Sequence, residues 1–286
     1  GLSAAVYKFL WVSRKGESLE MVNLPADRYG QFRLSYDGQK IAYPVYPDIW
    51  IYDIVENIKT IISNTGENFS PYWISDDQVI TWTSNRDGIQ KIYQRPSNGS
   101  GPETLFIDSV GVGLRSVSRD GRYAIIHEGE RTFFYDFTQN ERLMLFSEVK
   151  ATQMDLSPDG RHFLYLSDET GKNEVYVQTF PFSENRWNVS HGEGIDPIWS
   201  LKGDEIYYRK VNQWYSVKID TQNGFKASKP ELLFEGNYVD IGGKSFAVSP
   251  DGEKFLVLEQ MNQKRFSNVI IYVDNWLETV KRKYAE

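Results

Sequence analysis

The chain has 286 residues, enough for one large domain or two ordinary ones, and a single body of that size buries roughly 75% of its extended-chain surface without staples. A net charge of −7 argues against a nucleic-acid surface, where a basic stripe is required, and the absence of Cys excludes disulfides, thiolate zinc sites and cysteine nucleophiles. Eighteen Tyr, sixteen Phe and eight Trp tilt the composition toward strands, because flat rings pack well on pleated surfaces.

Two strands are predicted first, "KFLWVSR" (8–14) and "LEMVNL" (19–24). The turn Ser35-Tyr36-Asp37-Gly38 then opens a unit of "KIAYPVY" (40–46), "DIWIYDI" (48–54) and "IKTIIS" (58–63). Ile74-Ser75-Asp76-Asp77 opens the next, with "QVITWTS" (78–84) and "QKIYQRP" (90–96). After Ser118-Arg119-Asp120-Gly121 come "RYAIIHE" (122–128), "TFFYDFT" (132–138) and "RLMLFS" (142–147). After Ser157-Pro158-Asp159-Gly160 come "HFLYLSD" (162–168) and "NEVYVQTF" (173–180). Ser200-Leu201-Lys202-Gly203 leads "EIYYRKV" (205–211), "QWYSVKID" (213–220) and "PELLFE" (230–235). Ser249-Pro250-Asp251-Gly252 leads "KFLVLEQ" (254–260) and "NVIIYVDNW" (268–276), and Asn275 caps a short C-terminal helix with Glu278 reaching back.

The six turns recur at intervals of 39, 44, 39, 43 and 49 residues. The second and fifth are degraded, but "SPYW" (70–73) and "DPIW" (196–199) before them share Pro-x-Trp at one offset. Four short strands about every forty residues are the pattern of propeller blades. The expectation is an all-β fold, a six-bladed β-propeller of four-stranded antiparallel blades, forming one domain over 1–286. Blades start near 29, 68, 112, 151, 194 and 243, and residues 1–28 complete the last one, so both chain ends close the ring. Five strand candidates compete there for four places, leaving one strand over or a shrunken seventh blade.

These turn units resemble the TolB-like, or PD40, β-propeller repeats. The stretch 156–208, the ending "NVIIYVDNWLETVKRK" (268–283) and the opening "FLWVSRKGESLEMV" (9–22) resemble more narrowly the C-terminal propellers of bacterial membrane-anchored serine/threonine kinases. That resemblance implies a periplasmic or extracellular sensor or protein-interaction domain, its kinase and membrane helix preceding Gly1. Within the 286 residues no run approaches the ~20 apolar residues of a membrane span, so these residues are not expected to insert. They hold no glycine-rich phosphate loop, DFG-like triplet or Gly-x-Ser-x-Gly elbow, so neither phosphoryl transfer nor serine hydrolysis is expected.

His127, His162 and His191 fall in different blades, which disfavours a metal triad; His162, directly after a turn, is expected to be exposed. Asp37, Asp76, Asp120, Asp159 and Asp251 share one place in the turn and are assigned to local hydrogen bonding. "SDETGKNE" (167–174) and "SNRDGIQ" (84–90) lack the spacing of a calcium loop and fit hairpin turns. Trp73 and Trp199 are assigned to packing between blades. No metal, cofactor or catalytic residue is expected.

Counting back from each turn places Gln31, Arg33, Tyr72, Arg115, Gln153, Asp155, Asp196 and Lys244 on the strands that line a central funnel. Charges of both signs there need partners: one another, water, or a guest. The functional expectation is a non-enzymatic propeller that takes a protein or peptide at this mouth. Its alternatives are a free-standing TolB-like periplasmic scaffold and a metal-dependent lactonase- or lyase-type propeller.

Overall fold

The computed structural model describes residues 5–146, 151–179 and 185–261, and among them every regular element is a strand. β1 (Val6–Ser13) and β2 (Ser18–Met21) come first. Blade I holds β3 (Arg33–Leu34), β4 (Lys40–Val45), β5 (Asp48–Asp53) and β6 (Ile58–Ser63). Blade II holds β7 (Asn68–Ile74), β8 (Val79–Ser84), β9 (Lys91–Pro96) and β10 (Thr104–Ile107). Blade III holds β11 (Val112–Val117), β12 (Tyr123–Glu128), β13 (Arg131–Asp136) and β14 (Glu141–Phe146). Blade IV holds β15 (Thr152–Leu156), β16 (His162–Ser167), β17 (Glu174–Thr179) and β18 (Arg186–Asn188). Blade V holds β19 (Ile195–Trp199), β20 (Glu205–Lys210), β21 (Gln213–Asp220) and an outer strand in two pieces, β22 (Lys226–Ala227) and β23 (Glu231–Glu235).

Blade VI is β24 (Phe246–Val248), β25 (Lys254–Met261), β1 and β2, in that order. The two chain ends therefore share it, as the sequence pattern predicts. β1 pairs antiparallel with β25 over eight residues, from Val6 opposite Met261 to Ser13 opposite Lys254. The four places are filled without 268–276. That segment and the helix expected from Asn275 lie outside the described residues.

The repeated tetrapeptide is a hydrogen-bonded corner. In blade I the Gly38 N–H donates to the Ser35 carbonyl, and Gly38 has φ +75°, a left-handed conformation that a residue without Cβ adopts freely. The Ser35 hydroxyl donates to Asp37 (2.6 Å) and accepts the Lys40 N–H (2.8 Å), while Asp37 accepts the Gln39 N–H (2.8 Å). The same Ser–Asp pair recurs at Ser118 and Asp120, Ser157 and Asp159, and Ser249 and Asp251. In blade V, where Lys202 replaces the Asp, Asp204 takes over the bond to Ser200 (2.8 Å). Blade II departs further. Ile74 has no hydroxyl, Asp76 is exposed and paired to Arg119 (2.7 Å), and Asp77 reaches into blade I to accept the Tyr36 and Asp37 N–H groups. Asp76 is thus a correction to the shared-turn assignment.

Six clusters of buried apolar residues fill the six gaps between successive blades. The middle strands build them by alternation, since successive side chains in a strand point to opposite faces. On β1, Phe9 and Trp11 pack toward blade I with Phe32, Tyr29 and Tyr43, while Leu10 and Val12 pack toward blade V with Tyr207 and Trp214. Both faces of β1 are buried, which explains its unbroken apolar run "FLWV". Arg14 fastens the same seam, its guanidinium gripping both oxygens of Glu205 in blade V at 3.0 and 2.6 Å.

Phe9 is fully buried and lies 4.6 to 6.0 Å, ring to ring, from Tyr29, Phe32 and Tyr43. Phe9→Ala is expected to cost about 3–5 kcal/mol in urea unfolding, whereas Leu19→Ala on the exposed outer strand β2 should cost under about 0.5 kcal/mol. Equal effects of the two would show that β1 does not close the ring.

Candidate functional site in the central channel

The first strand of each blade (β3, β7, β11, β15, β19 and β24) sits at the edge of its sheet, and contacts between first strands run around the axis from β24 through β3, β7, β11 and β15 to β19. Four of these strands carry a bulge where they meet the second strand, at Phe69/Tyr72, Leu114/Ser116, Thr152/Asp155 and Ile195/Ile198. Ser70, Gln153 and Asp196 adopt φ of 54°, 48° and 54° at these bulges. A bulge interrupts the ladder and re-aims side chains, so the freed backbone donors need other acceptors.

The neighbouring blade supplies them. The Leu114 N–H donates to Thr83 Oγ1 (3.1 Å), Leu156 N–H to Ser116 Oγ (3.0 Å), Asp196 N–H to Gln153 Oε1 (2.7 Å) and Trp199 N–H to Asp155 Oδ2 (3.1 Å). In the other direction, the Trp73 indole N–H donates to the Arg33 carbonyl (3.1 Å), and the Tyr72 hydroxyl donates to the Arg115 carbonyl. Much of the channel's polarity is therefore structural: it stitches first strands together.

The sequence-predicted residues fall into three groups. Gln31, Tyr72, Arg115, Gln153 and Lys244 line a mouth pocket of about 360 Å3. Arg33, Tyr72, Asp155 and Lys244 line an inner cavity of about 130 Å3 that runs on toward the turns. Tyr72 and Lys244 belong to both and mark the boundary. Asp196 lies in neither wall. It is fully buried behind β19, bound by Arg209 Nε at 2.8 Å, and Arg209 also reaches Asp240 at 2.8 Å.

Lys244 is 5% exposed; its Nζ contacts Asp155 Oδ1 and the Pro197 carbonyl, each at 3.0 Å. Burial pushes its pKa down to about 8, against the pull of Asp155. Arg33 stacks on the Tyr72 ring at 4.3 Å and donates from Nη1 to the Phe32 carbonyl (2.8 Å). Its Nη2 is buried without an acceptor among the described residues. The half-buried Arg115 guanidinium makes no hydrogen bond or ion pair among the described residues, and desolvation lowers its pKa.

Two participants escaped the sequence reading. Tyr36 lines the inner cavity from within the turn itself, and burial together with the nearby Asp155 raises its pKa. Arg209 sits in the second strand of blade V, and its signal was a charge inside the apolar run "EIYYRKV". The histidines do not converge. His127 is half-buried in blade III, and His191 is exposed on the loop after β18. His162 is 7% exposed rather than exposed, because as the first residue of β16 it turns into the gap between blades IV and V, beside Trp199 and Phe225. Among the described residues no three His, Asp or Glu side chains cluster as metal ligands would.

No protein-family model matches the chain. Over 70 residues, 23% of the chain and only 16% of the relative's length, it is 34% identical to the Tol-Pal system protein TolB of Desulfosudis oleivorans. In three dimensions it is similar to a structure assigned as TolB from Agrobacterium tumefaciens, with TM-score 0.69 and 15% identity over 91% of this chain and 99% of that one. TolB from Acinetobacter baumannii gives 0.59 and 18%, over 82% and 68% of the two chains. An oligogalacturonate lyase from Vibrio parahaemolyticus gives 0.57 and 10%, over 86% and 76%. Identities this low show the fold alone. That fold is a TolB-like six-bladed propeller.

Lys244 offers a direct test of the channel's interior. Below pH 8 it is charged both folded and unfolded, and the desolvation penalty acts in full. Between about 8 and its ordinary value of 10.5 the folded lysine loses its proton while the unfolded one keeps it, so stability rises with pH in that window. Relative to Lys244→Met, which cannot titrate, the wild-type unfolding free energy should rise by about 2 kcal/mol between pH 8 and 10 in urea titrations. Parallel pH curves for the two proteins would show that Lys244 is not desolvated.

Proposed function

We propose that this propeller is a non-enzymatic recognition domain that takes a protein segment or peptide at the mouth of its channel, on the extracytoplasmic side of a bacterial inner membrane. The observation that carries the reading is Arg115. It stands in the mouth pocket half-desolvated, with its guanidinium bonded to no described residue, while nearly every other charge around it is spent on the frame. Desolvating a cation without a partner costs stability, and a rigid ring that bears this cost is poised to recover it from a guest.

The sequence match to a Tol-Pal system protein and the TolB-like fold support a protein-binding role in the cell envelope. Two versions share this chemistry: a free-standing TolB-like scaffold, and the sensor domain of a membrane-anchored serine/threonine kinase. A kinase domain and one apolar span encoded ahead of Gly1 would make it the second. A lyase-type enzyme on the same fold needs ligands that converge on the axis, whereas His127 sits in β12, His162 at the start of β16 and His191 on the loop after β18.

Arg115→Ala separates recognition from folding. A photo-crosslinker at Gln31 in the mouth should capture a discrete partner in the bacterial envelope, and Arg115→Ala should reduce that adduct about tenfold, equivalent to ~1.4 kcal/mol. The melting temperature should stay within about 2 °C of wild type, as for a side chain without bonds to the frame. An unchanged adduct, or loss of the adduct only together with loss of stability, would overturn the reading.

A further inference from the structure

The channel walls do not balance in charge. Facing the mouth and the inner cavity are four cations, Arg33, Arg115, Arg119 and Lys244, and one anion, Asp155. Asp196 and Asp240 are already held by Arg209, and Arg119 at the turn end is held by Asp76. An acidic protein with a net charge of −7 thus keeps a cationic axis. Asp155 is occupied twice over, by Lys244 on one oxygen and the Trp199 N–H on the other. Arg33 lies close enough to Lys244 to add to the depression of its pKa, and its Nη2 donor is buried with no acceptor among the described residues. Tyr72 holds the Arg33 plane by stacking and ties itself to the Arg115 backbone, so the two arginines are positioned by one ring, one on each side of the boundary.

We propose that the guest received at the mouth is acidic, and that it passes a carboxylate by Arg115 into the inner cavity, where it accepts hydrogen bonds from Arg33 Nη2 and Lys244. The inference rests on the mouth being a recognition surface and specifies what that surface selects. The inner cavity of about 130 Å3 admits a carboxylate on a short stem rather than a folded loop. A planar fork meets a carboxylate with two parallel bonds, which an ammonium does not reproduce. The carboxylate comes from either of two sources, a Glu or Asp side chain or the free end of a chain, and the test separates them.

Three synthetic octapeptides are titrated into the purified protein by NMR at low ionic strength. One is blocked at both ends with a central Glu-Glu pair, the second is its blocked Gln-Gln counterpart, and the third is the Gln-Gln peptide with a free C-terminal carboxylate. The Glu-Glu peptide or the free-carboxylate peptide should bind about tenfold or more tightly than blocked Gln-Gln, a difference of about 1.4 kcal/mol or more. Which of the two wins identifies the source. Arg33→Gln should erase the preference and Arg33→Lys should restore only part of it, with urea unfolding confirming that each variant is folded. Equal affinity for all three peptides overturns the acidic selection while leaving recognition at the mouth in place. A preference that survives in Arg33→Gln overturns the assignment to the inner cavity. No binding by any peptide overturns the inference too, and the crosslink from Gln31 then judges the mouth independently.

Discussion

A sheet that is apolar on both faces is stable only when each face is covered. In this chain every blade covers the next, so the fold depends on the one pairing that no local hairpin supplies, that of β1 with β25. Those strands come from opposite ends of the described chain, and their eight-residue antiparallel register joins interfaces built by Phe9 and Trp11 on one side and by Leu10 and Val12 on the other. Closing so long a loop costs entropy, though only logarithmically in its length. Two apolar interfaces are recovered in return. Arg14 on Glu205 adds a directional bond at the same seam.

Closure in turn dictates the character of the axis. Six first strands converge there, and the bulges that let them do so strip several backbone groups of their ladder partners. Thr83, Ser116, Gln153 and Asp155 replace those partners from the adjacent blade. A polar channel is therefore a requirement of the ring before it is a property of any ligand site. Among the described residues, what remains after those bonds are assigned includes Arg33 Nη2, the Trp199 indole N–H and the Arg115 guanidinium.

The architecture was legible because its determinants are local and repeated. A Ser–Asp corner with a left-handed Gly reads from four letters, and the alternation that buries both faces of β1 or β16 shows as an unbroken apolar run. Blade II was the exception, since Asp77 serves a neighbour some forty residues earlier and nothing within its own turn signals that. The channel was legible only as a set of positions. Counting back from the turns found Gln31, Arg33, Tyr72, Arg115, Gln153, Asp155 and Lys244 on the lumen, yet could not tell which were spent. Asp196 looked equivalent to them, and its partner Arg209 lies on a different strand. His162 misled for a related reason: the residue after the corner is already the first of a strand, so its face, not its nearness to a turn, sets its burial.

That division between spent and unspent side chains decides which substitutions the frame can absorb. Asp155 holds Lys244 and the Trp199 backbone at once, so replacing it disturbs blades IV, V and VI together, and its loss would register as instability whatever the ligand. The Arg115 guanidinium holds nothing in the frame among the described residues. Substitution there alters what the mouth offers without reaching any interface between blades. Positions the fold does not use are thus open to change, which is why a frame with such strict internal bonding can present different chemistry along its axis.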